Sequence, residues 1–101
     1  MDSNFYLIDL YDIYGELLTE KQQKYFEDYY FDNLSLQEIS ENYNVSRNAI
    51  YNSLREVKEK LNTYESNLNI YKKNKKLKEI VTEIKDERIK SKLEDLIWKG
   101  W

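Results

Sequence analysis

The stretch from Ser35 to Arg55 reads SLQEISENYNVSRNAIYNSLR and decides the fold. Ser35 stands three residues before Glu38, which is the spacing of a capping box that opens a helix. Asn44 tolerates the left-handed backbone that ends a helix, and Ser46 can cap the helix that follows. Apolar residues recur at helical spacing on both sides of Asn44. The stretch therefore predicts a helix, a tight turn and a second helix.

The rest of the chain also reads as helical. It contains no proline and two glycines, and its apolar residues recur at spacings of three and four rather than two. We therefore predict an all-α fold, a helical bundle. A first helix is expected from about Phe5 to Gly15. Thr19 followed by Gln22 forms another capping box, and the helix that it opens is expected to end near Asn33.

A heptad seam extends the second helix of the predicted motif. Its residues are separated alternately by four and three positions, and they are Ile50, Leu54, Val57, Leu61, Tyr64, Leu68 and Tyr71. This spacing predicts one unbroken helix of about 25 residues. Because such a helix projects beyond a three-helix domain, its outer residues need a partner. Those residues are Leu61, Tyr64, Leu68 and Tyr71. Packing within the chain and pairing with a second copy in a homodimer are both open from the sequence.

Two further amphipathic helices are predicted after the seam. Their apolar sets are Leu77, Ile80, Val81 and Ile84 in the first and Ile89, Leu93, Leu96, Ile97 and Trp98 in the second. Residues 1–71 are predicted to form a helix-turn-helix domain with a long recognition helix. Residues 72–101 are predicted to form a C-terminal helical extension that packs on it and completes one compact domain. We expect Trp98 in the core and leave the environment of Trp101 open.

The motif stretch closely resembles the helix-turn-helix of bacterial regulators and of the promoter-reading region of sigma factors. Ile39 and Ser40 stand where a large and then a small residue pack the two helices, and Asn44 stands where the motif usually has glycine. Over nearly its whole length, including residues 18–25 and 93–98, the chain resembles the YlxM-like family. The resemblance implies a bundle without a wing, similar to region 4 of sigma factors. It also implies a DNA-binding protein that serves or regulates the signal recognition particle pathway.

A recognition helix turns its apolar side to the domain and its polar N-terminal side to the base edges. The candidate base-reading residues are therefore Arg47, Asn48, Tyr51, Asn52 and Arg55. The candidate phosphate contacts are Ser35, Gln37 and Ser46. Arginine can bind guanine through two hydrogen bonds, and asparagine can bind adenine in the same way. The alternative is that these residues form only a solvated helix face, because asparagine is abundant throughout the chain.

Charge is divided unevenly along the chain, whose net charge is -3. Residues 1–45 carry ten acidic and two basic side chains, net -8, whereas residues 46–101 carry fourteen basic and nine acidic ones, net +5. Phosphate neutralisation supplies most nucleic-acid affinity, so the acidic half opposes binding. The densest basic cluster consists of Lys72, Lys73, Lys75, Lys76 and Lys78. It suits a nucleic-acid backbone or an acidic protein surface, or it is simply a solvated helix junction.

The composition argues against enzymatic chemistry. The chain has no cysteine, no histidine and two glycines, so zinc sites, thiol or serine–histidine catalysis and phosphate loops lack their residues. We predict no enzyme activity, no cofactor and no metal site. The N-terminus does not read as a signal peptide, and no uncharged stretch is long enough to span a bilayer. These features predict a cytoplasmic protein.

Two functions remain open from the sequence. The first is a DNA-binding regulator, with DNA favoured over RNA as its target, that acts in or on the signal recognition particle pathway. The second is a helical adaptor that does not bind DNA. In the adaptor the motif is only a packing unit, and the lysine cluster or the seam contacts the particle's RNA or its GTPases.

Overall fold

A computed structural model describes residues 4–97. Its six α-helices are α1 Asn4–Tyr14, α2 Glu20–Tyr30, α3 Leu36–Tyr43, α4 Arg47–Leu68, α5 Ile70–Val81 and α6 Glu87–Glu94. A short 3₁₀ turn, Gly15–Leu17, joins the first two helices. No strand occurs between residues 4 and 97, and the predicted all-α class is confirmed. The predictions for Trp98 and Trp101 fall outside the described residues.

The helices begin where the capping patterns predict. The Thr19 hydroxyl accepts a hydrogen bond from the backbone N–H of Gln22 at 3.2 Å, and the Gln22 side chain accepts one from the Thr19 N–H at 3.0 Å. Ser35 and Glu38 form the same reciprocal pair, and the Ser46 hydroxyl caps α4. Such a cap is worth about 1 kcal/mol. The first residues of α2, α3 and α4 are therefore fixed by local interactions.

The main core cluster joins α1, α2 and α4. Its buried members are Leu7, Leu10, Tyr14, Leu18, Phe26, Val57 and Leu61. Val57 and Leu61 have no exposed surface, and the ring of Tyr11 stacks on that of Phe26 with the centroids 4.2 Å apart. Burying a large apolar side chain stabilises the fold by about 1.5–3 kcal/mol. Because α4 contacts α1, α2 and α3, it is the central helix of the molecule.

The prediction of one unbroken helix through Tyr71 is wrong. Helix α4 ends at Leu68, Asn69 adopts a φ of 56°, and α5 begins at Ile70. The heptad spacing continues across this corner, so the apolar pattern gives no sign of the break. Asparagine supports the corner because it visits left-handed backbone more readily than other side chains.

A buried carboxylate holds the corner together. Glu65 is 8% exposed, and its carboxylate accepts hydrogen bonds from the N–H groups of Tyr71 and Lys72 at 3.0 and 3.1 Å. It also accepts one from the Tyr14 hydroxyl at 2.6 Å, and that hydroxyl accepts one from the Ile70 N–H at 3.1 Å. Burial and the Glu65 contact raise the pKa of Tyr14 to about 12, which keeps its hydroxyl a donor. Glu65 therefore satisfies N–H groups of α5 that have no partner within the helix.

Most of the predicted seam packs inside its own chain. Leu61 is fully buried, and Tyr64 and Tyr71 each meet a tyrosine of α1 with ring centroids 5.9 and 5.2 Å apart. Leu68 differs because it is 47% exposed. Three of the four seam residues therefore pack within their own chain. A homodimer through all four would have to displace α1.

Helices α5 and α6 form an arm that begins at Ile70. Helix α5 contacts α1 and α4, and α6 packs on α5. The molecule measures 55 × 25 × 23 Å with a radius of gyration of 16.8 Å. A compact chain of this length has a radius of gyration of about 13 Å. The molecule is therefore elongated.

Removing the buried carboxylate tests this description of the corner. We expect Glu65→Ala to lower the free energy of unfolding by about 2–4 kcal/mol, because two N–H groups and one hydroxyl lose a buried acceptor. Urea denaturation measures the change. Glu59→Ala removes an exposed carboxylate from the same helix and should change stability by less than about 0.5 kcal/mol. Equal effects of the two substitutions would contradict the role given to Glu65.

Candidate nucleic-acid interface

Buried contacts fix α3 against α4. Ile39 of α3 and Ile50 of α4 are fully buried and pack with Tyr25 of α2 in a second core cluster. Ser40 is 4% exposed, and its small side chain permits the two helices to approach closely. Partly buried residues complete the cluster, namely Leu34, Leu36, Val45 and Leu54. The two helices of the motif are thus held by the same kind of contact that stabilises the main core.

The turn between the two helices is short, and its first residue has a left-handed backbone. Asn44 has φ 54° and ψ 46°, as its place in the motif predicts. The Val45 N–H donates to the carbonyl oxygen of Ser40 at 3.0 Å, which ties the turn back to the end of α3. Because Ser46 then caps α4, the chain passes from one helix to the next within three residues. The N-terminus of α4 is consequently held in a fixed position.

The outer face of α4 carries the five candidate base-reading residues, and all five are exposed. Asn48, Asn52 and Arg55 follow one another at spacings of four and three, so they form one stripe along the helix. Tyr51, 53% exposed, lies beside this stripe, and Arg47 is the first residue of the helix. The opposite side of α4 faces the core.

The side chains of this face are not engaged elsewhere. Within residues 4–97, none of the five side chains makes a hydrogen bond or an ion pair with another residue. Their donors and acceptors can therefore meet a ligand without breaking an internal contact. From Asn48 to Arg55 the stripe covers about 10 Å of helix, which corresponds to about three base-pair steps.

The three candidate phosphate contacts differ in what surrounds them. The Ser46 hydroxyl accepts a backbone N–H of α4 at 3.0 Å and keeps its own proton as a donor. Hydrogen bonds from Ser35 lower the pKa of the Glu38 carboxyl, so Ser35 lies against a charged carboxylate. The Gln37 amide donates to Glu41 at 2.9 Å. Because these carboxylates repel phosphate, Ser46 has the most favourable surroundings.

The second basic patch lies apart from the outer face of α4. Four of its lysines are exposed on α5 and are called here the lysine surface: Lys72, Lys73, Lys75 and Lys76. Lys78 is partly buried, and its charge opposes the burial that raises the pKa of Asp9. Lys72 follows the C-terminal end of α4, whereas Arg47 begins that helix, and 22 residues of α-helix span about 33 Å. The structure therefore does not bring the two basic groups together.

A cleft that the sequence reasoning missed lies between α1, the 3₁₀ turn and α2. Its volume is about 400 Å³, and it is called here the acidic cleft because Asp12, Glu16 and Glu27 line it beside the rings of Tyr11 and Phe31. These residues come from separate elements, so no local pattern groups them. Only the packing of α1 on α2 does so.

Two features are absent from the part of the chain that the structure describes. Between residues 4 and 97, no cluster of three or more histidines, cysteines or carboxylates is arranged to hold a metal ion. Over the same range, no helix combines the length and the apolar character needed to cross a membrane.

Substitution of Asn44 tests the turn. We expect Asn44→Ala to lower the free energy of unfolding by about 1–2 kcal/mol, because a left-handed backbone brings Cβ close to the following carbonyl oxygen. Asn44→Gly should keep or slightly raise stability, since glycine has no Cβ. Asn42→Ala, at an exposed helical position nearby, serves as the control. Urea unfolding curves of the three variants measure these changes in stability. Equal stability of the Asn44→Ala and Asn44→Gly variants would refute a left-handed turn at Asn44.

Comparison with known proteins identifies relatives over almost the whole chain. A family described as "Putative helix-turn-helix protein, YlxM / p13 like" matches residues 1–99. A UPF0122 protein of Ureaplasma urealyticum serovar 10 is 46% identical over 95 residues, covering 94% of this chain and 96% of that protein. A UPF0122 protein of Fusobacterium nucleatum is 37% identical over 97 residues, covering 96% and 94%. One of Listeria monocytogenes is 40% identical over 96 residues, covering 86% and 87%. The chain belongs to the UPF0122 family of YlxM / p13 like helix-turn-helix proteins.

Proposed function

We propose that the protein is a DNA-binding regulator that inserts the N-terminal half of α4 into the major groove. The observation that carries this proposal is the exposed stripe of Asn48, Asn52 and Arg55, whose side chains have no partner within residues 4–97. The same helix is anchored on its other side by Ile50 and Val57, both fully buried. A rigid helix with unengaged polar groups on its outer face meets the geometric requirement for reading a groove.

The chemistry of these side chains suits direct readout of bases. Arg47 and Arg55 can each donate two hydrogen bonds to guanine, and Asn48 and Asn52 can each pair with adenine. The exposed ring of Tyr51 offers an apolar contact for a thymine methyl group. Each good two-bond contact is worth about 1–3 kcal/mol of discrimination between bases. The stripe is therefore suited to a short site of mixed composition.

The overall charge favours specific contacts over general attraction. With a net charge of -3, the protein gains little from neutralising phosphates, so its affinity for random DNA should be low. We propose that a homodimer compensates by reading two half-sites, since joining two weak contacts raises the overall affinity. Catalysis has no part in this proposal, and the expected location is the cytoplasm.

Selection from randomised duplex DNA, followed by substitution, tests the proposal. We expect a preferred site, and we expect Asn52→Ala to weaken binding to it by about 5- to 150-fold, which corresponds to about 1–3 kcal/mol. The reason is the loss of one base contact, so preference at one position of the site should relax as well. Arg47→Ala should act in the same way at another position.

A matched control comes from the same helix. Asn67 is exposed near the C-terminal end of α4, so Asn67→Ala makes the same chemical change away from the outer face of its N-terminal half. Its affinity for the selected site should equal that of the unchanged protein. Failure to select any site, or equal losses for Asn52→Ala and Asn67→Ala, would refute the proposal.

The lysine surface supports a second candidate function. Its four exposed lysines lie within two turns of α5, where they form a compact cationic surface. In this candidate the protein is an adaptor that contacts the RNA of the signal recognition particle or one of its GTPases. Replacing Lys72, Lys73, Lys75 and Lys76 with glutamine would then abolish binding to that RNA, whereas Asn52→Ala would leave it unchanged. If the protein is the DNA-binding regulator, Asn52→Ala should weaken binding to the selected duplex DNA, and the four lysine replacements should leave that binding unchanged.

A role in or on the signal recognition particle pathway is also part of the proposal. This role rests on the resemblance to the YlxM-like family alone. The regulator would act on gene expression for the pathway, whereas the adaptor would bind the machinery itself. The two binding assays therefore distinguish the candidates.

A further inference from the structure

A single residue connects α4 to the arm. Helix α4 ends at Leu68, Asn69 has φ 56° and ψ 28°, and α5 begins at Ile70. Left-handed backbone is unfavourable for residues other than glycine, although asparagine tolerates it better than most. The Asn69 side chain makes no capping hydrogen bond to α5. A change in the two backbone dihedral angles of Asn69 would therefore join the two helices into one and swing the arm away from α1.

The sequence around the corner is also compatible with a straight helix. No proline or glycine occurs between residues 16 and 99, so no residue type in this range prevents an α-helix from continuing. The heptad spacing of the seam runs through Asn69 without a change of register. The bend at Asn69 therefore depends on contacts of the arm with the rest of the molecule.

Hydrogen bonding of the backbone permits both forms. In the structure, the N–H groups of Tyr71 and Lys72 donate to the Glu65 carboxylate. If Asn69 became helical, the carbonyl oxygens four residues earlier would accept these two N–H groups instead. Glu65 would keep its hydrogen bond from the Tyr14 hydroxyl, because both residues belong to the part of the chain that does not move. The backbone donors of the corner thus have acceptors whether the helix is bent or straight.

The arm is held in its bent position by contacts with α1. The Tyr71 ring meets the Tyr6 ring of α1 edge-on, with the centroids 5.2 Å apart. Burial raises the pKa of Asp9 in α1, and the charge of Lys78 in α5 opposes that rise, so these two side chains attract each other. Apart from Val81, every residue of α5 is at least partly exposed. Because every copy of the chain has the same α1, a second copy offers the arm the same contacts.

We infer that two copies of the chain exchange arms, so that α5 and α6 of each copy pack on α1 of the other. A pair with two-fold symmetry makes this exchange twice and leaves no arm without a partner. The contacts between arm and α1 are those of the monomer, and a second copy therefore fits them without any new complementarity. A short hinge that holds an unfavourable backbone conformation favours such an exchange.

The exchanged pair also covers apolar surface at the corner. Leu68 and Ile70, on either side of Asn69, are 47% and 38% exposed in the monomer. In an exchanged pair the two straightened hinges lie next to each other, so these residues of one copy meet those of the other. Their burial adds an apolar contact that only the pair makes, and it offsets part of the entropy lost on association.

This inference deepens the proposed function, because it rests on the proposed homodimer and states how that dimer is built. It leaves Leu61 and Tyr64 packed within their own chain, and it does not involve the outer face of α4. Arm exchange needs no DNA. Failure to form the exchanged dimer in solution can therefore be told apart from failure to read a DNA site.

Substitution of Asn69 in the full-length protein tests the hinge. Alanine favours continuous helix and is strained in left-handed backbone, so Asn69→Ala should raise the association constant of the dimer by at least about tenfold. Asn69→Gly should lower it, because glycine accepts the bent form and weakens a straight helix. Analytical ultracentrifugation over a range of concentrations measures both, and circular dichroism checks the fold. An Asn69→Ala protein that stays monomeric, or equal association of the two variants, would overturn the inference.

A charge exchange between α1 and the arm distinguishes arm exchange from any other dimer. Asp9→Lys places a like charge near Lys78, and Lys78→Asp places one near Asp9, so within each variant the arm is repelled from α1. In a mixed pair with exchanged arms, each arm meets an opposite charge. The two variants are unfolded in urea and refolded together. Native mass spectrometry should then find more mixed dimer than random pairing gives.

A control pair carries the same changes of charge at other positions. Glu41→Lys and Lys73→Asp alter exposed residues of α3 and α5, and their mixture should show only the share of mixed dimer that net charge produces. An equal share of mixed dimer in the test mixture and the control mixture would overturn the inference, as would a test mixture without dimer. Loss of DNA binding alone would bear only on the proposed function.

Discussion

The buried stripe of α4 is the constraint on which the rest of the structure depends. Ile50, Val57 and Leu61 are fully buried along one side of this helix, and through them α4 contacts α1, α2 and α3. A single helix thus contributes to both core clusters. Because its inner side is committed to packing, only the outer side of the helix is available to a ligand, and the N-terminal half of that side carries the five candidate base-reading residues. The position of the candidate interface follows from this division of the helix surface.

Asparagine forms the corners of this chain. Between residues 4 and 97, three residues other than glycine have positive φ, and they are Asn33, Asn44 and Asn69, at 59°, 54° and 56°. The chain has no proline and only two glycines, so these asparagines supply the left-handed backbone that glycine often supplies elsewhere. Each corner sets the direction of the next helix. The corner at Asn44 presents α4, and the corner at Asn69 directs the arm.

The sequence predicts the structural features that depend on residues close together in the chain. Both capping boxes and the turn at Asn44 involve residues within a few positions of one another, and all three are confirmed. The corner at Asn69 was missed because the apolar spacing from Leu68 to Tyr71 remains helical across it. Glu65 was missed as well, since a carboxylate in an amphipathic helix is normally exposed and its partner Tyr14 lies 51 residues away.

The candidate interface shows the same contrast between features set by local sequence and features set by tertiary packing. The exposure of Arg47, Asn48 and Asn52 follows from the helical period, because the apolar residues of α4 identify its inner side. The hydrogen bond between Gln37 and Glu41 joins side chains one turn apart in α3, whereas the approach of Lys78 to Asp9 depends on packing between helices. The acidic cleft likewise depends on how α1 meets α2. Sequence periodicity therefore predicts faces, whereas tertiary contacts decide which residues of a face remain available.

The most direct test of the proposed interface is an NMR titration of the isotope-labelled protein with the selected duplex. If α4 reads the groove, backbone amide shifts should concentrate between Ser46 and Arg55, while the signals of the lysine surface move little. Shifts concentrated on Lys72 to Lys76, with Ser46 to Arg55 unchanged, would contradict the assignment of the interface to α4.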